Sequence, residues 1–424
     1  MKRRSWMTLG LGLASISILI NCTERVGFTS LFAKRTGTNP GIDIECGKDG
    51  FCTETYVQPN KLITKDALII FTMDGSGSMN LEFNEVKDGA GQLIQKLTTI
   101  TDKVCVGVMG MYTNAPLQNG LTNQSGLLVG NGADKCLCTD ALAINDLLAK
   151  LSQNFEFIRS AQAIGQNEAG LKAIDSYATE AAKIAANEAT GCVPDTAVTA
   201  FIPISDENDL SAAEIPAAGF QANCAGLGVQ NVGTTVSPAA PSGQPADGSC
   251  QEFAGRAREY STLEGTNYKL TVTPTKVSKD LALFMGTLPF KTYSVIYPDQ
   301  GSITQVGGGN QDGIGYGYLE FIQKTGGDVV NMKLLKNNDK TEFLNRFSEI
   351  GDDLIDQAAL FQTFNTQYPV CEDSVKIKVD GVSIDDSDFQ VISDTTIRIP
   401  NEHGQADSVI EITYKQKIGD GSNC

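Results

Sequence analysis

The stretch that decides the fold reads ALIIFTMDGSGSM, residues 67–79. Its first five residues form a continuous apolar run, which is expected of a strand buried on both faces of a parallel sheet. A segment from about 81 to 100 follows, in which apolar residues recur at intervals of three and four, as on one face of a helix. A buried strand, a glycine-containing turn and an amphipathic helix together predict one unit of an α/β sheet.

The same alternation of strand and helix continues downstream. Further strands are expected at 104–109, 198–204, 293–297 and 329–330, and further helices at 140–151, 165–189, 278–287, 315–325 and 340–362. Alternation on this scale predicts an α/β fold with a doubly wound, mostly parallel sheet and helices on both faces. Pro203 cannot donate to the ladder of a central strand, so it is expected at a bulge or at the strand's end.

The remaining segments have different patterns. Residues 114–139 and 207–277 read as insertions, the longer one because it carries Gly, Pro, Ser and Asn with little apolar periodicity. In residues 365–424 apolar residues recur at every second position on either side of an Asp380-Gly381 hairpin turn. This pattern predicts a small all-β module. The α/β domain is therefore expected at 61–364, after a polar tether at 22–60.

Residues 1–21 are typical of an export signal, with a basic start and a short apolar run. The end, Leu-Ile-Asn-Cys, resembles a bacterial lipobox and implies that Cys22 is the lipidated first residue of the mature chain. Asn21 departs from the usual Gly, Ala or Ser, and the alternative is a signal cleaved elsewhere with Cys22 an ordinary thiol. Thr23, where an Asp would retain the protein in the inner membrane, favours an outer-membrane lipoprotein attached by its lipid only.

Charge and cysteine content limit the possible functions. The formal net charge is −17, so the surface repels nucleic acid and anionic headgroups and suits cations. Eleven cysteines leave an even ten if Cys22 carries lipid, which suggests disulfides in an exported chain. Plausible pairs, which the sequence does not fix, are Cys46 with Cys52, Cys224 with Cys250, and Cys371 with Cys424. Cys136-Leu137-Cys138 has the wrong spacing for a zinc knuckle.

Oxygen-bearing side chains cluster where two strands end. Asp74, Ser76 and Ser78 stand at alternate positions just past the first strand, and Asp206 lies in an acidic cluster directly after the strand at 198–204. Ligands of open α/β sheets bind at the carboxyl ends of the strands, and hard divalent cations take oxygen ligands. The alternatives are an Asx-turn with a serine helix cap in the first loop, and a surface acidic loop at Asp206.

These two stretches resemble the metal-ion-dependent adhesion site of von Willebrand factor A domains, and the order of elements is similar from about 65 to 362. The resemblance implies that Ser76 and Ser78 bind Mg²⁺ (or Mn²⁺ or Ca²⁺) directly, and that Asp74 and Asp206 act largely through water. It also implies that a partner's carboxylate completes the octahedron.

One loop departs from the family. The family usually places a threonine before the third helix, but the matching stretch, 164–171, has none. Asn167 is the candidate ligand there, with Gln166 as the neighbouring alternative. Otherwise the loop only caps a helix.

A binding protein is expected rather than an enzyme. His403, the only histidine, lies far along the chain from these serines, so a Ser–His pair is not expected. Metal-assisted hydrolysis usually needs more directly bound charge than this site offers. The expected function is recognition of a protein or glycan carboxylate through the metal, and the insertion at 207–277 borders the site and favours it. The alternative is a structural or assembly subunit of an envelope complex.

Overall fold

The computed structural model describes residues 43–58, 66–77, 79, 82–111, 125–130, 134–160, 169–192, 197–206, 209, 272, 274–286, 288–299, 301–302, 315, 317–336, 339–357, 360–400, 404–417 and 424. Cys22, Ser78, Asn167 and the suggested Cys224–Cys250 pair lie outside these residues, as does most of the expected insertion at 207–277.

The larger part of the described chain is built on a mostly parallel sheet. Its strands are β3 (Asp66–Met73), β4 (Lys103–Gly110), β5 (Cys136–Cys138), β6 (Ala197–Ile204), β7 (Phe290–Thr292), β8 (Ser294–Ile296) and β9 (Val329–Asn331). Their order is β5-β4-β3-β6-β8-β9, with β7 also beside β6, and only β5 pairs antiparallel. The prediction of an α/β chain with a mostly parallel sheet is confirmed.

Helices cover both faces of this sheet. They are α1 (Phe83–Thr98), α2 (Ile144–Ser160), α3 (Gly170–Thr179), α4 (Ala181–Glu188), α5 (Pro274–Met285), α6 (Tyr318–Thr325), α7 (Lys333–Lys336) and α8 (Lys340–Gln357). Ile69 and Phe71 of β3 pack in one apolar cluster with α1, α2 and α8, whereas Leu68 and Ile70 pack in a second with α3, α5 and α6. Since successive strand residues point to opposite faces, the two clusters lie on opposite sides. None of the helices among the described residues has the length and apolar character that a membrane span requires.

Pro203 is the penultimate residue of β6 and pairs in register with Thr72, so the bulge is wrong and the proline lies close to the strand's end, the other expected alternative. The neighbouring odd-numbered residues of β6 explain why the proline is tolerated. Phe201 accepts a hydrogen bond from the Tyr293 amide, and the Ser205 amide donates to Val295, so the odd positions face β7 and β8. The missing donor of Pro203 therefore faces the junction between those two short strands and leaves the β3–β6 ladder intact.

A second part of the chain consists of antiparallel strands, and we call it the β module. One sheet has the order β1 (Asp43–Cys46), β2 (Phe51–Val57), β15 (Val409–Lys415), β11 (Lys376–Val379) and β12 (Val382–Ser383). The other has β10 (Thr363–Asn365), β14 (Thr396–Arg398) and β13 (Gln390–Ser393).

Two expected boundaries are wrong. The tether expected over 22–60 contains β1 and β2, because β2 pairs with β15 over its whole length. The insertion expected over 114–139 contains β5, which pairs with β4 at the edge of the parallel sheet. Each of these segments is held by a partner strand distant in sequence.

Arg398 joins the β module to the parallel sheet. Its side chain is fully buried, and its guanidinium donates to the carbonyl oxygens of Phe290 (3.0 Å) and Thr325 (2.8 Å) and to the side-chain oxygen of Gln362 (3.0 Å). The guanidinium carbon also lies 3.9 Å from the centre of the Phe290 ring. Burial lowers the pKa of Arg398 to about 9, which still leaves it charged at neutral pH. The β module therefore inserts a cation into a socket of backbone oxygens.

Four disulfides lie among the described residues. Cys46–Cys52 and Cys371–Cys424 are two of the pairs suggested by the sequence. Cys105–Cys138 and Cys136–Cys192 connect β4, β5 and the segment after α4.

Candidate metal centre

Asp74 lies at the carboxyl end of β3, beside the end of β6. The two strands run parallel with Met73 opposite Ile204, and the Asp74 amide donates to the Ile204 carbonyl oxygen at 3.0 Å. Ser205, the first residue after β6, donates its amide to Val295 of β8 at 3.1 Å. The sheet thus holds Asp74, Ser205 and Asp206 at one edge, as the sequence predicts for the two acidic residues.

The loop after Asp74 is fixed at both ends. The Ser76 amide donates to Asp74 Oδ1 at 2.7 Å, which forms the Asx-turn weighed as an alternative. Met79 returns to the apolar core with 1% of its surface exposed. Helix α1 then begins after Glu82, and that N-cap makes no side-chain cap hydrogen bond. The turn is present, and the N-cap of α1 is Glu82 and not a serine.

Two buried carboxyl groups meet below this loop. Asp74 is 1% exposed and Asp206 is fully buried, and the two side chains share a hydrogen bond. Burial raises the pKa of Asp74, while hydrogen bonds from Ser76, Ser205 and Asp206 oppose that shift. No basic side chain is among these largest influences on its pKa. Two adjacent carboxyl groups that cannot both ionise freely need a shared proton or a cation.

Sequence reasoning assigned no role to two further residues of the acidic cluster. The Ser205 hydroxyl donates to Asp74 Oδ2 at 3.2 Å and orients that carboxylate. Asp209, also fully buried, accepts the Leu171 amide at 2.8 Å, in the first turn of α3. Ser205 could have been identified from the sequence, because it lies directly beside Asp74 when the two strands are aligned in parallel register. Asp209 had no local signal, because its partner lies 38 residues away.

Asp209 holds one end of the loop in which the sequence places Asn167. The Ala169 amide donates to the Met111 carbonyl oxygen at 2.8 Å, just past the end of β4. At Gly170 a Cβ atom would lie 2.6 Å from the Tyr318 hydroxyl, so α3 approaches its neighbour more closely than any side chain would allow. The structure thus brings the end of this loop to the same sheet edge.

The donor set fits a hard divalent cation. Its described members, Asp74, Ser76 and Asp206, offer only oxygen atoms, which suit Mg²⁺, Mn²⁺ or Ca²⁺. The carboxyl groups are buried, Ser76 is half-buried and Gly77 is exposed. An ion bound to these residues would therefore contact the buried carboxyl oxygens on one side and would be accessible to solvent on the side of Gly77.

Comparisons with known proteins do not assign a family. No family model matches the chain, and no curated protein matches it. Among solved structures, the pilus adhesin SpaC from Lactobacillus rhamnosus GG is 13% identical with a TM-score of 0.35, and the alignment covers 88% of this chain and 42% of that one. A von Willebrand factor type A protein from Catenulispora acidiphila is 11% identical with a TM-score of 0.34, over 90% of this chain and 66% of that one.

A third structure belongs to a different class of protein. The human COPII-coat protein Sec24c is 12% identical with a TM-score of 0.34, over 86% of this chain and 41% of that one. This chain spans less than half the length of the adhesin and of the coat protein. Similarity at these TM-scores does not indicate a function. The functional hypothesis therefore rests on the residues at the carboxyl ends of β3 and β6.

Proposed function

We propose that this chain is an exported cell-envelope protein with a doubly wound, von Willebrand factor A-like domain that binds a protein or glycan partner through a divalent metal ion. Asp74, Ser76, Ser78 and Asp206 would hold the ion, with Asn167 as a further candidate ligand. The observation that carries the proposal is the buried contact between Asp74 and Asp206, next to a loop in which Ser76 is half-buried and Gly77 is exposed.

Electrostatics favours a cation at this contact. A buried carboxylate is costly unless it is paired or fully hydrogen-bonded. Elsewhere in the chain, between helices α3 and α5, a cation is supplied for such a group: Asp175 is 4% exposed and accepts a hydrogen bond from Lys276 at 2.7 Å. Asp74 instead has a second carboxyl group and hydroxyl donors around it. A divalent ion would replace repulsion between the two acidic groups with attraction to both.

The serines determine how the ion would act. Their hydroxyl oxygens are neutral, so they add no negative charge to that of the two carboxyl groups. When bound, the ion would supply an electrophilic centre for an acidic group of a partner. Ser76 and Gly77 lie where that group would approach.

The disulfides support an oxidising compartment. Four of them in the described part of the chain are typical of exported proteins and rare in the cytosol. Together with the basic, apolar start and Cys22, they support an outer-membrane lipoprotein.

Titration calorimetry of the full chain with Mg²⁺ and Mn²⁺ tests the metal centre. Ser76→Ala removes an oxygen donor from the loop, so we expect it to abolish measurable binding, while loss of its hydrogen bond to Asp74 lowers the free energy of unfolding by about 1–3 kcal/mol. Ser383→Ala is the matched control, since Ser383 is exposed on β12 of the β module and should bind the ion like the wild type. Wild-type protein that binds neither ion at millimolar concentration would refute the centre.

The partner is tested separately. Pull-down from envelope extracts, with and without EDTA, should recover partners that are lost with the chelator and with Ser76→Ala. Partners retained by Ser76→Ala would contradict recognition through the metal and would favour the alternative, a scaffold or assembly subunit.

A further inference from the structure

Four cysteine sulfurs form one cluster at the edge strand of the parallel sheet. Cys105 lies on β4, Cys136 and Cys138 on β5, and Cys192 shortly after α4. The Sγ atoms of Cys105, Cys136 and Cys138 all lie within 4.8 Å of one another, and Cys136 is disulfide-bonded to Cys192. The two disulfides are thus in contact, with 3.6 Å between the sulfurs of Cys136 and Cys138.

Bonds that do not involve sulfur hold the four residues in place. Cys105 is directly opposite Cys138 in the β4–β5 ladder, and Gly107 is opposite Cys136. The backbone carbonyl of Cys192 accepts a hydrogen bond from the buried Tyr177 hydroxyl at 2.8 Å. The backbones of all four cysteines should therefore stay close together when both disulfides are opened.

The spacing fits a sulfur-ligated metal ion. Zinc binds thiolates at about 2.3 Å, so in a tetrahedral site the sulfurs are about 3.8 Å apart. The 3.6 Å separation of the Cys136 and Cys138 sulfurs is near this value, and the Cys105 sulfur, which is bonded to that of Cys138, lies within 4.8 Å of the Cys136 sulfur. Sulfurs that are bonded at about 2.05 Å would move apart by side-chain rotation. Cys136 and Cys138 are half-buried, which leaves a route for an ion.

We propose that Cys105, Cys136, Cys138 and Cys192, once reduced, form a tetrathiolate site for one zinc ion. For each disulfide, a dithiol gives up two electrons and two protons and becomes a disulfide, or a phosphine and one water molecule give the phosphine oxide, so that each disulfide becomes two thiols. Zinc then binds the four sulfurs, and the thiol protons are released to solvent. The ion would join β4, β5 and the segment after α4, the same elements that the disulfides join. The edge of the sheet would thus have a cross-link in either redox state, independently of the centre at Asp74.

Cobalt is the probe that distinguishes this site from the oxygen centre. The full chain is reduced anaerobically with a phosphine and titrated with Co²⁺. We expect strong thiolate-to-cobalt charge-transfer absorption and tetrahedral d–d bands that saturate at one ion per chain, both removed by one equivalent of Zn²⁺. The oxidised protein should show neither feature, since an oxygen-ligated cobalt ion has no thiolate bands.

Paired variants locate the sulfurs. Cys136→Ser with Cys138→Ser should eliminate the thiolate–cobalt bands, whereas Cys46→Ser with Cys52→Ser, which removes a disulfide from the β module, should retain them. In the wild type, zinc should protect four cysteines from alkylation, identified by peptide mass spectrometry as the four named above.

Three results would overturn the proposal. The first is a reduced protein that keeps its circular dichroism spectrum but shows no thiolate–cobalt band. The second is a band that persists in the Cys136→Ser/Cys138→Ser variant. The third is loss of the folded spectrum on reduction that zinc does not restore, because the ladder would then fail to hold the sulfurs together.

Discussion

The parallel sheet and the β module bury charged groups in opposite ways. Strands β3 and β6 of the parallel sheet are apolar and buried along almost their whole length, and acidic residues follow directly at their ends. Strand β2 of the β module alternates between buried and exposed residues, and one of its buried positions is an acid, Glu54. In the parallel sheet these acidic residues lie just past the ends of the strands, whereas in the β module Glu54 lies within the core.

The surroundings of the two kinds of buried carboxyl group differ accordingly. Glu54 is fully buried and accepts hydrogen bonds from the Tyr56 hydroxyl (2.6 Å), the Tyr414 hydroxyl and the Gln367 amide (2.8 Å). Burial first, and then the contact with Glu54, raise the pKa of both tyrosines, so they remain protonated donors. Asp74 faces another carboxyl group instead. A carboxylate enclosed by donors stabilises the fold, whereas the pair of carboxyl groups is the proposed metal centre.

The largest expected effect is at Arg398, where the two parts of the chain meet. Arg398→Met fills a similar volume but leaves the carbonyl oxygens of Phe290 and Thr325 buried without their donor. Loss of a buried charged hydrogen-bond network costs about 3–5 kcal/mol, which should appear as a lower midpoint in urea denaturation of the full chain. Lys378→Met, at an exposed position of β11, is the control and should change stability by less than about 0.5 kcal/mol. An unchanged midpoint for Arg398→Met would show that the socket does not hold the two parts together.

A matched pair of amide substitutions tests the contrast between the two carboxyl environments. Glu54→Gln places an amide donor against hydroxyl donors, so it should lower the free energy of unfolding by about 1–3 kcal/mol and leave Mg²⁺ affinity unchanged. Asp206→Asn should do the reverse: it relieves repulsion with Asp74, leaves stability unchanged or raised, and weakens Mg²⁺ binding by roughly ten- to a hundredfold. Denaturation gives the free energy of unfolding of each variant, and calorimetry gives its Mg²⁺ affinity. Equal losses of stability in the two variants would contradict the proposed difference between the environments of Glu54 and Asp206.

A smaller effect than that at Arg398 is expected from the disulfide of the first hairpin. Cys46→Ser with Cys52→Ser opens a loop with a sequence separation of only 6, so the chain-entropy loss is modest, about 2 kcal/mol. Thermal unfolding should show this loss, while Mg²⁺ binding at Asp74 should be unaffected. A parallel loss of metal binding would indicate that the β module supports the sheet edge more directly than its position implies.

Local patterns in the sequence predicted the parallel sheet well. The apolar run at 67–71, the strand at 198–204 and the helix at 81–100 correspond to β3, β6 and α1, because a strand buried on both faces has an unmistakable composition. The contact between Asp74 and Asp206 followed from the parallel register of their strands. Their role as metal ligands stays a prediction, as do those of Ser76, Ser78 and Asn167.

Long-range pairing had no comparable signal. In β2 the inward positions are Cys52, Glu54 and Tyr56, and a central acid conceals the apolar alternation that marks a half-buried strand. Its partner β15 lies more than 350 residues further along the chain. The carbonyl socket of Arg398 and the meeting of Cys105 with Cys136 and Cys138 depend likewise on tertiary packing.

The pairing of β2 with β15 also constrains the order of assembly. Every strand of the parallel sheet ends by Asn331, so that sheet can form while the chain is still being delivered from its N-terminal end. Strand β2 emerges early but has no neighbour on its inner side until Val409–Lys415 arrives. Closing so long a loop is slow compared with local pairing, so the β module completes last. A chain interrupted before Val409 would leave β2 and β11 with open edges, which are templates for pairing between molecules.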